Sequence, residues 1–78
     1  MADIRVYGAD WCGDCHRARR VLQRKGVDFE WIDVEADPAM AEEARRLGGR
    51  PNIPVIVFAD GSVLVEPTDP ELEARLAG

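Results

Sequence analysis

Polar and apolar residues alternate over residues 3–8 (DIRVYG), which carry Ile4, Val6 and Tyr7 and predict a strand. Residues 9–12 turn. The period then changes: Cys15, Ala18, Val21 and Leu22 fall on one face at helical spacing, with arginines opposite, so a helix is expected over 13–25. Gly26 supplies the glycine that commonly follows a helix end. Residues 27–34 (VDFEWIDV) are β-branched and aromatic and predict a second strand. Asp37-Pro38 pairs a capping residue with proline at the first helical position. A helix follows through Met40, Ala44 and Leu47 and stops at Gly48-Gly49. Residues 53–59 (IPVIVFA) are almost unbroken in their apolarity, as expected of a strand buried on both faces. Asp60-Gly61 marks a hairpin turn, and Ser62–Glu66 is the return strand. Asp69-Pro70 repeats the cap-plus-proline start, and a last helix buries Leu72 and Leu76.

The order β-α-β-α-β-β-α defines an α/β fold. Its first three elements form a parallel crossover unit and its two later strands an antiparallel hairpin. A mixed four-stranded sheet with helices on both faces is the expected architecture. No repeat, linker or low-complexity tract interrupts it, so residues 1–78 are read as one small domain.

Composition narrows the function. The chain is 46% hydrophobic and 32% charged, ordinary for a soluble globular protein. A net charge of −5 argues against nucleic acid as the main partner. The charge is uneven, however. Arg17, Arg19, Arg20, Arg24 and Lys25 stand against Asp14, so residues 11–26 carry +4 and the remainder −9. Such a basic helix either attracts carboxylates of a small thiol or forms an ordinary salt-bridged face; Arg17, Arg19 and Arg50 are the individual candidates. Met1 is followed by polar Ala2-Asp3, without the apolar core of a secretory signal, and no apolar run reaches membrane-spanning length. The expected location is the cytoplasm, where a lone cysteine pair is more often catalytic or metal-binding than structural.

That pair lies in "WCGDCH", residues 11–16, which holds both cysteines and the only histidine. Three chemistries share this spelling: c-type haem attachment, a zinc or other metal site, and a redox dithiol. Haem attachment needs export and a second axial ligand, here Met1 or Met40, and the strand pattern does not suit it. A structural zinc ion takes four ligands, whereas Cys12, Cys15 and His16 make three. A metal or iron–sulfur centre shared between two chains remains an alternative. For the dithiol the placement is favourable. Cys12 ends the loop between the first strand and helix, and Cys15 lies in the first helical turn on the same face. That spacing suits the Cα separation of roughly 4.4–6.8 Å that a disulfide requires. Free N–H groups at the helix start stabilise a thiolate there and can lower a cysteine pKa from about 8.5 to between ~3.5 and 7.5. His16 is then a solvent-facing helix residue. Pro54 cannot donate to a sheet ladder and must sit at a strand end or edge. By general frequency alone its peptide bond would be trans.

The segments VYGADWCGDC (6–15), VDFEWIDVE (27–35) and GGRPNIPVIVFADGSVLVEP (48–67) resemble those of glutaredoxins in the thioredoxin superfamily, nearest the mycoredoxin-like glutaredoxins of actinobacteria. The resemblance covers essentially the whole chain. It implies a thioredoxin-like fold and a thiol–disulfide oxidoreductase, with Cys12 as nucleophile and Cys15 as resolving thiol. Pro54 matches a cis-proline, and the Ile53 backbone before it would pair with substrate. Trp11 would flank and shield Cys12. Thr68 and Asp69 match the helix start that holds a small thiol's carboxylate. Substrates would be protein disulfides or small-thiol mixed disulfides. The reductant would be glutathione, mycothiol, bacillithiol or a thioredoxin-type reductase, with mycothiol favoured. No cofactor would be bound permanently, and the protein would be a monomer. An electron-donor role to a reductase such as ribonucleotide reductase is the neighbouring alternative, although the chain lacks the Trp-Ser-Gly-Phe-Arg-Pro segment of those donors.

The chain also departs from the pattern. Asp14 replaces the aromatic usual at the second position between the cysteines, Asn52 stands where threonine is frequent, and Glu66-Pro67 stands where Gly-Gly is frequent. Asp14 is expected to modulate the site: its charge disfavours a thiolate on Cys12 and makes the couple more reducing. Trp31, Phe29 and Phe58 are read as core, and Tyr7 either approaches the site or fills the core.

Overall fold

The computed structural model describes residues 3–77. Met1, one of the two axial-ligand candidates, lies outside them, as do Ala2 and Gly78. The elements are β1 (Ile4–Gly8), α1 (Gly13–Arg24), β2 (Phe29–Asp33), α2 (Pro38–Gly48), β3 (Val55–Val57), β4 (Val63–Val65) and α3 (Asp69–Ala77). The strands form one sheet in the order β2-β1-β3-β4. β1 pairs with β2 in parallel, from Ile4 opposite Phe29 to Gly8 opposite Asp33. The β1–β3 and β3–β4 pairs are antiparallel. This is the expected mixed four-stranded α/β sheet.

The alternation of side chains along a strand divides the core. Ile4 and Val6 of β1 join Ile56 of β3 on one face, where Ala18, Val21 and Leu22 of α1 and Leu72 of α3 complete a cluster. Tyr7, Val55 and Val57 face the other side and meet Ala44 of α2. The apolar run of β3 is apolar because it serves both clusters.

Helix ends follow local chemistry. Asp37 caps α2, its Oδ1 accepting the Ala39 N–H at 2.9 Å, with Pro38 first in the helix. Lys25 closes α1, and Gly26 follows in the left-handed region at φ 68°. The last helix differs from expectation. Thr68, not Asp69, is its cap: Thr68 Oγ1 accepts the Glu71 N–H at 3.2 Å and Glu71 returns its carboxylate to the Thr68 N–H at 2.8 Å. This reciprocal capping box satisfies two orphan donors, more than an isolated Asp69-Pro70 start would.

The third strand is also shorter than its apolar run. The Ile53–Pro54 peptide is cis, as the family resemblance implied and against the general trans frequency. Proline lacks the donor that would extend the ladder. At the other end, Phe58 N–H donates to Ser62 O and Gly61 N–H to Phe58 O, closing the hairpin loop early. Among the described residues, no helix is long and apolar enough to cross a membrane.

Candidate active site

The site forms where the carboxyl end of β1, the start of α1 and the segment before β3 converge. Cys12 is the N-cap of α1, in extended conformation (φ −84°, ψ 111°). Its Sγ accepts the Cys15 backbone N–H at 3.2 Å, so sulfur occupies the place a capping oxygen usually takes. On its other side, Cys12 Sγ lies 4.0 Å from the Ile53 carbonyl oxygen. Both cysteines are free thiols. Cys12 is 7% exposed and Cys15 fully buried. The two pack with Ala9 against Trp31, Val34 and Ile53.

The burial of Cys15 depends on Gly8. A Cβ at Gly8 would lie 2.7 Å from Cys15 Sγ and 2.7 Å from the Trp31 ring. Bare backbone therefore lets the second thiol and the indole close over the end of β1. Arg19 covers the Trp31 ring at 4.3 Å from its centroid.

Burial is the main cause that pushes the Cys15 thiol up from the ordinary 9.0 to about 12; the interaction with Cys12 adds to it, and the charge of Asp14 adds least. Cys15 therefore stays protonated at neutral pH. Reduced protein treated with iodoacetamide near neutral pH should take one label, on Cys12, with Cys15 labelled only after unfolding. Peptide mapping of the alkylated protein checks this; equal labelling of both thiols in the folded protein would contradict it. The sign of the pH dependence follows as well. The unfolded chain releases this proton near 9.0 and the folded chain near 12, so reduced-state stability falls as pH rises through that window and is indifferent to this group below it.

Beside Cys12 opens a cleft of about 400 Å³, lined by Trp11, Asp14, Asn52, Ile53 and Glu66 among others. Trp11 is 69% exposed on its rim. Glu66, a non-glycine residue at φ 49°, donates its N–H to Pro54 O at 2.9 Å and accepts the Asn52 side-chain amide at 2.7 Å. Cys15 and Pro54 are buried behind the lining.

The structure thus brings Trp11, Cys12, Asp14 and Ile53 together around one opening, with Pro54 in support. Thr68 and Asp69 do not join them. The Thr68 N–H already holds the Glu71 carboxylate, and Asp69 bonds Arg17 at 3.0 Å. Asp14 also pairs with Arg17, at 2.8 Å. Farther along, Arg24 reaches Glu73 at 3.4 Å and Lys25, just past the helix, the same carboxylate at 4.0 Å. Tyr7 fills the α2-side core and accepts a hydrogen bond from Arg5 at 2.8 Å. His16 Nε2 bonds the Asp10 carbonyl oxygen, pinning the loop to α1. Among the described residues, no group of three or more His, Cys, Asp or Glu side chains is placed to hold a metal ion. Sequence reasoning missed the roles of Gly8, Glu66 and the Thr68–Glu71 box. Of these, only the Thr-x-x-Glu spacing offered a local signal.

A free cysteine capping a helix, a second thiol one turn on and a cis-proline segment beside them, all on a thioredoxin-like sheet, define a dithiol redox protein. Comparison with known proteins sharpens the class. The glutaredoxin family model matches residues 4–64. A Mycobacterium tuberculosis protein named as a glutaredoxin is 34% identical over 76 residues, 96% of this chain and 90% of that one. The crystal structure of a glutaredoxin from Archaeoglobus fulgidus superposes with a TM-score of 0.88 at 28% identity, covering 100% of this chain and 89% of that one. The glutaredoxin-like NrdH-redoxin of Escherichia coli gives 0.78 at 30% identity, with 91% of each chain covered. The chain belongs to the glutaredoxin family, and is a thiol–disulfide oxidoreductase. The family acts on protein disulfides or mixed disulfides, with a small thiol such as glutathione as its general reductant.

Proposed function

We propose that Cys12 is the attacking thiol and Cys15 the resolving one in a two-step exchange that reduces disulfides. The observation that carries this reading is the asymmetry of the pair. Cys12 faces the cleft with an amide N–H directed at its sulfur, while Cys15 is buried and protonated behind it. The Cys12 thiolate attacks one sulfur of R–S–S–R′, forming Cys12–S–S–R and releasing R′–S⁻, which takes up a proton. Cys15 then loses its proton and attacks Cys12 Sγ, closing the Cys12–Cys15 disulfide and expelling R–S⁻. Two electrons pass from the dithiol to the substrate. Two molecules of a small thiol restore the dithiol and leave as their own disulfide. Burial is the main hold on the Cys15 proton; forming the mixed disulfide removes the added hold from Cys12, which favours the second step.

In this reading the Ile53 main chain pairs with an extended substrate segment, the buried Pro54 fixes its direction, and the exposed Trp11 ring packs on the substrate. Mycothiol is the reductant favoured by the sequence resemblance. A thioredoxin-type reductase is the alternative reductant that the sequence resemblance implies, and the structural neighbour NrdH-redoxin has a thioredoxin-like activity profile.

Steady-state kinetics of Cys15→Ser on two substrates test the scheme. The variant should keep reducing small-thiol mixed disulfides, where a second thiol molecule releases the product, and should lose reduction of protein disulfides to background. Undiminished reduction of protein disulfides would remove Cys15 from the mechanism.

A further inference from the structure

We infer that the cleft selects disulfides flanked by cationic groups, such as a protein cystine between lysines or arginines, and disfavours carboxylate-bearing ones, with Asp14 and Glu66 as the specificity-determining residues. This rests on the exchange chemistry above and concerns which disulfide reaches Cys12.

Three observations converge. First, the charged side chains among the described lining residues are both acids, Asp14 and Glu66. The Glu66 carboxylate accepts only the neutral Asn52 amide among the described contacts, which leaves its charge uncompensated. Its backbone sits at φ 49°, where glycine is comfortable and other residues are strained, so a carboxylate stands where glycine would offer bare backbone.

Second, the cations nearby are committed or turned away. Arg17 is shared between Asp14 at 2.8 Å and Asp69 at 3.0 Å, leaving that trio net negative. Arg19 lies over Trp31, and Arg50, although exposed and next to Pro51, is not among the lining residues. Third, the amide that would receive a small thiol's carboxylate at the start of α3 already holds the Glu71 carboxylate at 2.8 Å. An incoming anion meets the uncompensated Glu66 carboxylate and the net-negative Asp14–Arg17–Asp69 trio, whereas an incoming cation meets acceptors on both.

The test uses three short peptides, each with one cysteine flanked by Lys-Lys, Ser-Ser or Glu-Glu, and each presented as its mixed disulfide with 2-mercaptoethanol. Fully reduced protein is mixed with each in single turnover. The protein dithiol becomes the Cys12–Cys15 disulfide as the peptide thiol and 2-mercaptoethanol are released. At low salt the rates should fall in the order Lys, Ser, Glu, with about tenfold between the extremes, and the spread should shrink toward unity at about 1 M salt. Glu66→Gln and Asp14→Asn should each narrow the Lys-to-Glu ratio, and the double variant should nearly abolish it. Peptide glutathionylated at the same cysteine should react more slowly than the Ser-flanked 2-mercaptoethanol adduct. A flat ratio in wild type, a faster Glu peptide, or a ratio unchanged in the double variant would overturn the selectivity. Failure of wild type on the Ser peptide would overturn the exchange reading itself, so the two failures are distinguishable.

Discussion

Replacing Cys12 with serine is expected to bring disulfide reduction down to the uncatalysed rate on every substrate, while thermal unfolding stays that of a folded protein. The thiolate is the nucleophile in thiol exchange, and the chain has no second thiol able to stand in. Burial pushes the Cys15 thiol up to about 12, so it is almost wholly protonated at pH 7. It is also fully buried, without a path to a disulfide in the cleft. Serine retains a side-chain acceptor for the Cys15 N–H, so the cap of α1 survives the change. Turnover of a small disulfide, followed by release of its thiol, measures the loss. Persisting turnover in this variant would assign the nucleophile elsewhere.

The second large effect concerns Gly8, which takes no part in the chemistry. Gly8→Ala should destabilise the protein by about 1–3 kcal/mol, the usual cost of forcing one group into a packed interior. The obstacle is contact rather than backbone conformation, because the glycines with positive φ are Gly26, Gly49 and Gly61. The new methyl would meet Cys15 Sγ at 2.7 Å and two Trp31 ring atoms at 2.7 and 2.9 Å. In a protein of this size each kcal/mol lowers Tm by about 4–8 °C. Urea unfolding gives the free energy. Alkylation gives a second readout, since a displaced Cys15 should label in the folded variant. Unchanged stability together with an unlabelled Cys15 would show that the end of β1 is less tightly packed than these distances require.

Much of the fold was legible because it is written in periods. The alternation in DIRVYG and the helical spacing of Cys15, Ala18, Val21 and Leu22 returned as β1 and the buried face of α1. The doubly apolar β3 run returned as a strand serving two cores. What did not appear locally depends on residues distant in the chain. Gly8 is needed because Cys15 and Trp31 come from two different elements and meet above it. Glu66 reaches the cleft because the β3–β4 hairpin returns it beside Pro54 and Asn52. The arginines of α1 read as one basic face; the fold distributes Arg17, Arg19 and Arg24 among Asp14, Asp69, Glu73 and Trp31, because α3 packs beside α1 and Trp31 of β2 packs against the same core cluster. The start of α3 shows local signals in competition: Thr68-x-x-Glu71 and Asp69-Pro70 both mark a helix start, and the reciprocal pair prevails.

The division of labour between the two cysteines is tested most directly by trapping. Reduced wild-type protein is mixed with one equivalent of a neutral small disulfide, quenched in acid before the second step completes, and the adduct located by peptide mass mapping. The account predicts a mixed disulfide on Cys12 that gives way with time to the Cys12–Cys15 disulfide. An adduct on Cys15, or an intramolecular disulfide that forms only by way of an adduct on Cys15, would contradict it.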